Sequence, residues 1–355
     1  MKVAVTTGGG DAPGLNAVIR GAVLAAHHRG WECWGIRKSY GGLLADDGCV
    51  RLGPGDVRGI THLGGTILGT TNRGDPFRWP TTHPDGTTTE RDRSDELVQA
   101  FRTRQFDALI AIGGDGSLSI AHRLHAKGVP VVGVPKTIDN DVGGTETCFG
   151  FDTAVATATD AIDKLHSTAE SHERVMVVEV MGRRAGFIAL AAGLAGSADV
   201  ILIPEIPFTM ARVCEKIRRR DAEGRRFSIV VVAEGAVPRG GEESFLDQDR
   251  RRLGGVAEKV ARAIATGTGK ETRSLVLGHL QRGGSPTTFD RGLALRFGAG
   301  AVRLVAAGRF DEMVALRAGA LTSVPLATAL SEARSVPLDF DAMATARELG
   351  VSFGD

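Results

Sequence analysis

Ile112-Gly113-Gly114-Asp115-Gly116-Ser117 is the stretch that decides the fold of this 355-residue chain. It follows the apolar run Phe-Asp-Ala-Leu-Ile-Ala-Ile at 106–112, which reads as a buried strand, and precedes a helical pattern over 117–127. Glycines at such a strand-to-helix turn expose backbone N–H groups, and the helix start adds partial positive charge, so the turn suits a phosphate. Asp115 stands where a Mg²⁺ carried by phosphate would find a carboxylate. A plain glycine turn with Asp115 as helix N-cap is the alternative reading.

Some twenty residues on, Pro135-Lys136-Thr137-Ile138-Asp139-Asn140-Asp141 follows a second apolar strand at 131–134. Asp139 and Asp141 are two apart, a spacing that in extended backbone puts both carboxylates on one side. Like charges held close push one pKa up and favour a general base; a surface turn rich in Asp and Asn is the alternative. Both segments end parallel-type strands, where open α/β sheets bind ligands. A third turn, Gly8-Gly9-Gly10-Asp11-Ala12-Pro13-Gly14, joins a strand at 2–7 to a helix reaching about 28. It has neither the GxGxxG spacing of dinucleotide sites nor the Gly-Lys-Ser/Thr ending of P-loops. The segments 112–117 and 135–141 together predict phosphoryl transfer, and the turn at 8–14 is a second phosphate-cradling turn.

From residue 1 to about 150, strands at 3–6, 32–37, 107–112 and 131–134 alternate with helical patterns, which predicts an α/β fold whose mainly parallel sheet is covered on both faces. The stretch 77–93 is rich in Pro, Thr, Gly and charge without periodicity and reads as a mobile loop. Further βα units carry strands at 174–180, 199–203, 228–233 and 272–277 and helices at 153–166, 185–195, 255–266 and 290–307, which predicts a second sheet.

Composition bounds the function. The chain is 42% hydrophobic and 24% charged, as in ordinary globular proteins. The net charge is +1, and the basic triplets Arg218-Arg219-Arg220 and Arg250-Arg251-Arg252 are short and flanked by acids, so they read as solvated helix faces and no nucleic-acid partner is expected. Cys33, Cys49, Cys148 and Cys214 lie far apart without CxxC pairing, which argues against a disulfide framework or zinc site and for a reducing compartment. There is no membrane-length apolar run and no leader pattern; a cytoplasmic enzyme is expected.

The combination of Gly-Gly-Gly-Asp-Ala-Pro-Gly-Leu-Asn at 8–16, Gly-Gly-Asp-Gly-Ser at 113–117 and Pro-Lys-Thr-Ile-Asp-Asn-Asp at 135–141 resembles the 6-phosphofructokinase family. Val-Glu-Val-Met-Gly-Arg at 178–183, Glu-Thr-Arg at 271–273 and Leu-Gly-His-Leu-Gln-Arg-Gly-Gly-Ser-Pro at 277–286 agree, in the family's order, over roughly residues 1–300. The resemblance implies two Rossmann-like lobes: a large nucleotide-phosphate lobe of 1–150 plus 281–331, and a smaller sugar-phosphate lobe of 151–280 plus 332–355. It implies phosphorylation of fructose 6-phosphate at its 1-hydroxyl with MgATP, a transferase step of glycolysis. By the same resemblance Gly10, Arg73, Gly113, Gly114, Gly116, Ser117 and Lys136 hold the donor's phosphates, and Asp115 ligates Mg²⁺. Asp139 is the general base, Thr137 and Asp141 flank it, and Arg183 stabilises charge on the transferring group. Met181, Gly182, Glu234, His279, Arg282, Arg174 and Arg273 bind the sugar phosphate, the last two from a neighbouring subunit. A homotetramer, or at least a dimer, with a composite sugar site is therefore implied.

Several positions depart from the pattern. Gly116 leaves room for a nucleotide α-phosphate where pyrophosphate users carry Asp, whereas Lys136 replaces the Gly usual in ATP-using bacterial members and is found in pyrophosphate users. A steric requirement outweighs an added cation, so ATP is the expected donor and pyrophosphate the alternative. Ser119-Ile120-Ala121 replaces a small Gly-containing stretch on the adenine side. Of the basic effector residues of allosteric members only Arg20 and Arg225 match, while Leu24, Pro54, His166 and Glu223 do not, so regulation by ADP and phosphoenolpyruvate is expected to be absent or changed. NAD and lipid kinases share the Gly-Gly-Asp-Gly turn but lack the other elements. A non-catalytic sugar-phosphate sensor is opposed by the intact Asp115, Asp139 and Arg183.

Overall fold

The computed structural model describes residues 1–82, 85–247, 252–331 and 333–355. In chain order the elements are β1 (Lys2–Thr7), α1 (Leu15–His27), β2 (Glu32–Ile36), β3 (Cys49–Leu52), β4 (Trp79–Thr82), β5 (Thr88–Arg91), α2 (Ser94–Thr103), β6 (Ala108–Gly113), α3 (Asp115–Ala126) and β7 (Val131–Pro135). There follow α4 (Phe151–Ser171), β8 (Val175–Val180), α5 (Phe187–Ala195), β9 (Val200–Leu202), α6 (Met210–Ala222), β10 (Ser228–Ala233), α7 (Val256–Thr268) and β11 (Thr272–Val276). The chain closes with α8 (Thr288–Ala306), β12 (Glu312–Arg317), β13 (Ala320–Pro325), α9 (Leu326–Ser331) and α10 (Asp341–Glu348). Two compact units result: one of Met1–Thr137, Asp141–Asp152 and Arg282–Ala333, the other of Ile138–Asn140, Thr153–Gln281 and Arg334–Asp355.

The first unit is built on a seven-stranded sheet in the order β13-β12-β7-β6-β1-β2-β3. Its five central strands pair in parallel, and β3 and β13 close the edges antiparallel. Successive side chains of a strand point to opposite faces. Val3, Val5, Ile110, Ile112, Val132 and Val134 accordingly pack with α1 and α8, while Ala4, Leu109, Ala111 and Val131 pack with α2, α3 and α9. Burial on both faces is why these strands are continuous apolar runs rather than alternating ones. The α/β class with mainly parallel sheets is what that pattern predicts.

The second unit has four parallel strands in the order β11-β8-β10-β9. Val175, Val177, Val200, Leu202, Val230 and Val232 face Val213 and Ile217 of α6 and Val260 and Ile264 of α7. Glu179 sits in this apolar setting, 2% exposed, because its two carboxylate oxygens accept from the Gly255 and Ala257 N–H groups at the start of α7 (3.0 and 2.8 Å). The strand is thereby pinned to the helix start.

Two sequence expectations need correction. Within the stretch 77–93, of which 83 and 84 lie outside the described residues, the chain is not an irregular loop: β4 and β5 pair antiparallel, with Arg93 stacked on Trp79 and Arg123 on Phe77, contacts between residues distant enough in sequence to escape a periodicity argument. Arg220 is not on a solvated face; it is 9% exposed, 2.8 Å from Asp199, and donates to Ser228 and the Phe227 carbonyl. Of the second basic triplet, Arg250 and Arg251 lie outside the described residues, and Arg252 pairs with Asp247 (3.0 Å). Among the described residues no helix is long and apolar enough to cross a membrane.

Candidate active site

In the first unit the glycine-rich turns after β1 and β6 and the end of β7 lie together, because these strands are neighbours in the sheet. The Gly8 N–H donates to the Ile112 carbonyl (2.9 Å) and the Lys136 N–H to the Gly113 carbonyl (2.9 Å). Lys136, 3% exposed, turns its ammonium onto the Gly10 carbonyl. Arg282 donates to the Asp11 carbonyl (3.2 Å) and lies against Gly10. A side chain at Gly113 would strike Ser117, so glycine is required there by close approach. The same test at Gly116 meets nothing within 4 Å, so no packing demand of the protein explains that glycine.

Asp115 occupies the first turn of α3, exposed, with Gly114 as the N-cap. The N-cap reading of Asp115 is thereby excluded, and its carboxylate faces solvent beside the helix start. Ser117 is buried and its carbonyl accepts from the Tyr40 hydroxyl (2.7 Å). Arg73 is exposed, following Thr71, whose hydroxyl accepts from the Arg73 N–H (3.1 Å). Thr137 is buried two residues beyond the end of β7.

Asp139 and Asp141 do not share one side of an extended strand. Asn140 between them has φ 56, in the left-handed region that Asn tolerates, so the chain bends instead of alternating. Asp141 is half-buried and groups with the first unit, whereas Asp139 groups with the second. There Asp139, 2% exposed, has its Oδ2 3.5 Å from Nε of Arg183.

Arg183 belongs to the turn 181–186 after β8, with φ 52 itself and φ 141 at Gly182. Such a conformation costs a non-glycine residue about 1–3 kcal/mol and persists only where its surroundings over-determine it. Three side chains do so. Gln281 accepts from the Met181 N–H (2.8 Å), Glu234 Oε1 from the Gly182 and Arg183 N–H groups (3.3 and 2.9 Å), and Glu205 from the Gly186 N–H (2.9 Å). Burial, reinforced by the charge of Asp139, pushes the Glu234 carboxyl above the usual range, although the two N–H groups pull it down.

The family model "PFK: Phosphofructokinase" covers residues 2–305. The chain belongs to the phosphofructokinase family. The ATP-dependent 6-phosphofructokinase of Chloroflexus aggregans is 53% identical over 357 residues, covering 100% of this chain and 98% of its own. The pyrophosphate–fructose 6-phosphate 1-phosphotransferase of Amycolatopsis mediterranei is 49% identical over 347 residues, covering 96% of this chain and 97% of its own. Among solved structures, phosphofructokinase of Pichia pastoris in the T-state matches with a TM-score of 0.80 at 30% identity, over 93% of this chain and 35% of that longer chain.

The remaining residues expected from the phosphofructokinase resemblance separate within the second unit. Met181, Gly182, Arg183 and Glu234 gather at the carboxyl ends of β8 and β10. Arg174 and Arg273 lie at the amino ends of β8 and β11, sharing the carboxylate of Glu271. At about 3.3 Å per residue, the seven steps from Arg174 to Met181 put them roughly 23 Å apart along the strand. His279 is exposed in the short helical turn Gly278–Arg282. Sequence reasoning left Gln281 and Glu205 without a role. Gln281 stood inside a quoted motif, but nothing local marks Glu205, which acts across 19 residues.

Proposed function

We propose that this chain transfers the γ-phosphoryl group of ATP to the 1-hydroxyl of fructose 6-phosphate, giving fructose 1,6-bisphosphate and ADP. In this reading the first unit is the nucleotide-phosphate lobe and the second the sugar-phosphate lobe. Asp139 accepts the hydroxyl proton as the sugar oxygen bonds to phosphorus and the bond to ADP breaks. Arg183, whose planar guanidinium suits phosphate oxygens, lies beside that carboxylate and neutralises the transferring group. Gly10, Arg73, Gly113, Gly114, Gly116, Ser117 and Lys136 hold the donor, with Thr137 and Asp141 flanking. Met181, Gly182, Glu234, His279 and Arg282 hold the sugar phosphate.

The open space at Gly116 carries the choice of donor: a Cβ there would meet nothing within 4 Å, so the glycine answers no packing demand and leaves that space to a nucleotide. Lys136 is engaged with the Gly10 carbonyl, a bracing role compatible with ATP. The pyrophosphate-using relative at 49% identity keeps pyrophosphate as the second reading. Mg²⁺ fits the donor set. Among the described residues no group of three or more His, Cys, Asp or Glu side chains is arranged to hold a metal ion by itself, and Mg²⁺ characteristically takes one or two carboxylates, here Asp115, with phosphate oxygens. When bound it would offset phosphate charge.

Assembly into a dimer or homotetramer is supported by two features. Arg174 and Arg273 stand at the wrong end of their own sheet, and the edge strand β11 leaves Leu275 and Val276 38% and 50% exposed. A neighbouring copy would bring such a pair of arginines to the sugar phosphate. Arg20 donates to the Val57 carbonyl (2.7 Å) and a ring nitrogen of His166 lies 2.8 Å from the Gly196 carbonyl, engagements that agree with altered effector control. The four cysteines, none joined in a disulfide, suit the reducing cytoplasm.

The test is a donor and acceptor panel on one purified sample, with ATP or pyrophosphate and fructose 6-phosphate in a coupled assay. The reading expects turnover with ATP. Turnover with pyrophosphate alone favours the second reading, and none with either donor contradicts both.

A further inference from the structure

Glu205 is a half-buried carboxylate to which the reading above gives no part in holding the substrates. Its Oε1 accepts two backbone N–H groups: Gly186 (2.9 Å), which starts α5, and Val336 (2.8 Å), from the C-terminal segment. The other oxygen, Oε2, is buried without a hydrogen-bond partner. Space around it is tight, since a side-chain carbon at Gly186 would stand 2.5 Å from Cβ of Ile203 and 2.7 Å from Oε2 of Glu205. The next residue, Phe187, has the Arg334 guanidinium over its ring at 4.6 Å. Val336 is itself buried. Residues 334–336 lie beyond the stretch 2–305 matched by the family model, yet they are fastened to the end of the turn that holds Arg183.

A carboxylate with one oxygen buried and unsatisfied is costly, so its retention needs a return. Two returns are visible. The negative charge sits at the amino end of α5, where the helix dipole favours it. It also fixes Gly186 while Gln281 and Glu234 fix Met181 and Arg183, so the turn is held at its start, middle and end. Releasing the end lets Arg183 relax from its positive φ toward commoner backbone angles and swings its guanidinium relative to Asp139.

We infer that Glu205, clamped by the C-terminal segment through Val336, is a positioning residue for Arg183. The inference rests on the reading that Arg183 acts on the transferring phosphoryl group. A small displacement of such a group costs turnover far more than ground-state sugar binding.

The test is a double-mutant cycle on the full-length chain, measuring kcat and the KM for fructose 6-phosphate. Glu205→Leu removes the acceptor at similar bulk and is expected to lower kcat about tenfold or more, with KM within about threefold. Glu205→Gln keeps both hydrogen bonds and is expected to restore kcat to within about threefold of the parent. Should Glu205→Leu fail to fold, Gly186→Ala serves in its place, because the added methyl pushes the helix start off Glu205; the same split is expected. In an Arg183→Ala background either substitution should then lower kcat by less than about twofold, because the residue it acts through is gone. Independent, multiplying losses overturn the inference and leave the role of Arg183 intact. If Arg183→Ala alone turns over at the parental rate, the reading of Arg183 fails first and the placement of Glu205 with it.

Discussion

At the scale of single residues, the choice of donor turns on position 116. A carboxylate placed in the open space at Gly116, beside the amino end of α3, would fill the volume proposed for the nucleotide and repel its phosphates. Gly116→Asp is therefore expected to abolish measurable turnover with ATP while leaving the melting temperature within a few degrees, because a Cβ at this position meets no protein atom within 4 Å. Steady-state assays with a thermal melt check both halves, and ATP turnover within twofold of the parent would refute the steric argument. Asp139 is legible as a base candidate from its motif, but not through extended backbone, because Asn140 bends the chain. Its partner is not Asp141 across an extended strand but Arg183, 44 positions on, and a local spacing rule cannot see such a pairing.

At the scale of elements, apolar runs such as β1, β6, β7, β8 and β10 could be read from the sequence because parallel strands buried on both faces leave an uninterrupted signature. The hairpin of β4 and β5 could not: its residues are mostly exposed and it is held by cross-strand pairing and arginine stacking. Arg220 likewise sat in a triplet that looked solvated, and only the fold brings Asp199 to it. Glu179 lies within an otherwise apolar strand, and its burial makes sense only as an acceptor for the start of α7. Glu179→Ala strands two N–H groups and is expected to destabilise the chain by about 2 kcal/mol, measured as a shift of the denaturation midpoint. Glu179→Gln should lose markedly less. Equal stability of the alanine variant would show that the helix start finds other acceptors.

At the scale of the whole molecule, the amino-end position of Arg174 and Arg273 predicts complementation. Samples of Arg174→Ala and Glu234→Ala, each weakly active, should regain turnover when mixed and allowed to exchange subunits, because hybrids restore some intact sites. No gain after verified exchange would place both residues in one chain's site. The account as a whole depends on a carboxylate, buried beside an arginine, taking the proton of a sugar hydroxyl as phosphorus is transferred. Its most direct test is Asp139→Ala, assayed for ATP-driven turnover and, by calorimetry, for fructose 6-phosphate binding. The account predicts a loss of turnover on the order of 10²–10⁴-fold, the usual worth of a general base, with sugar-phosphate binding retained. Turnover within a few-fold of the parent would contradict it.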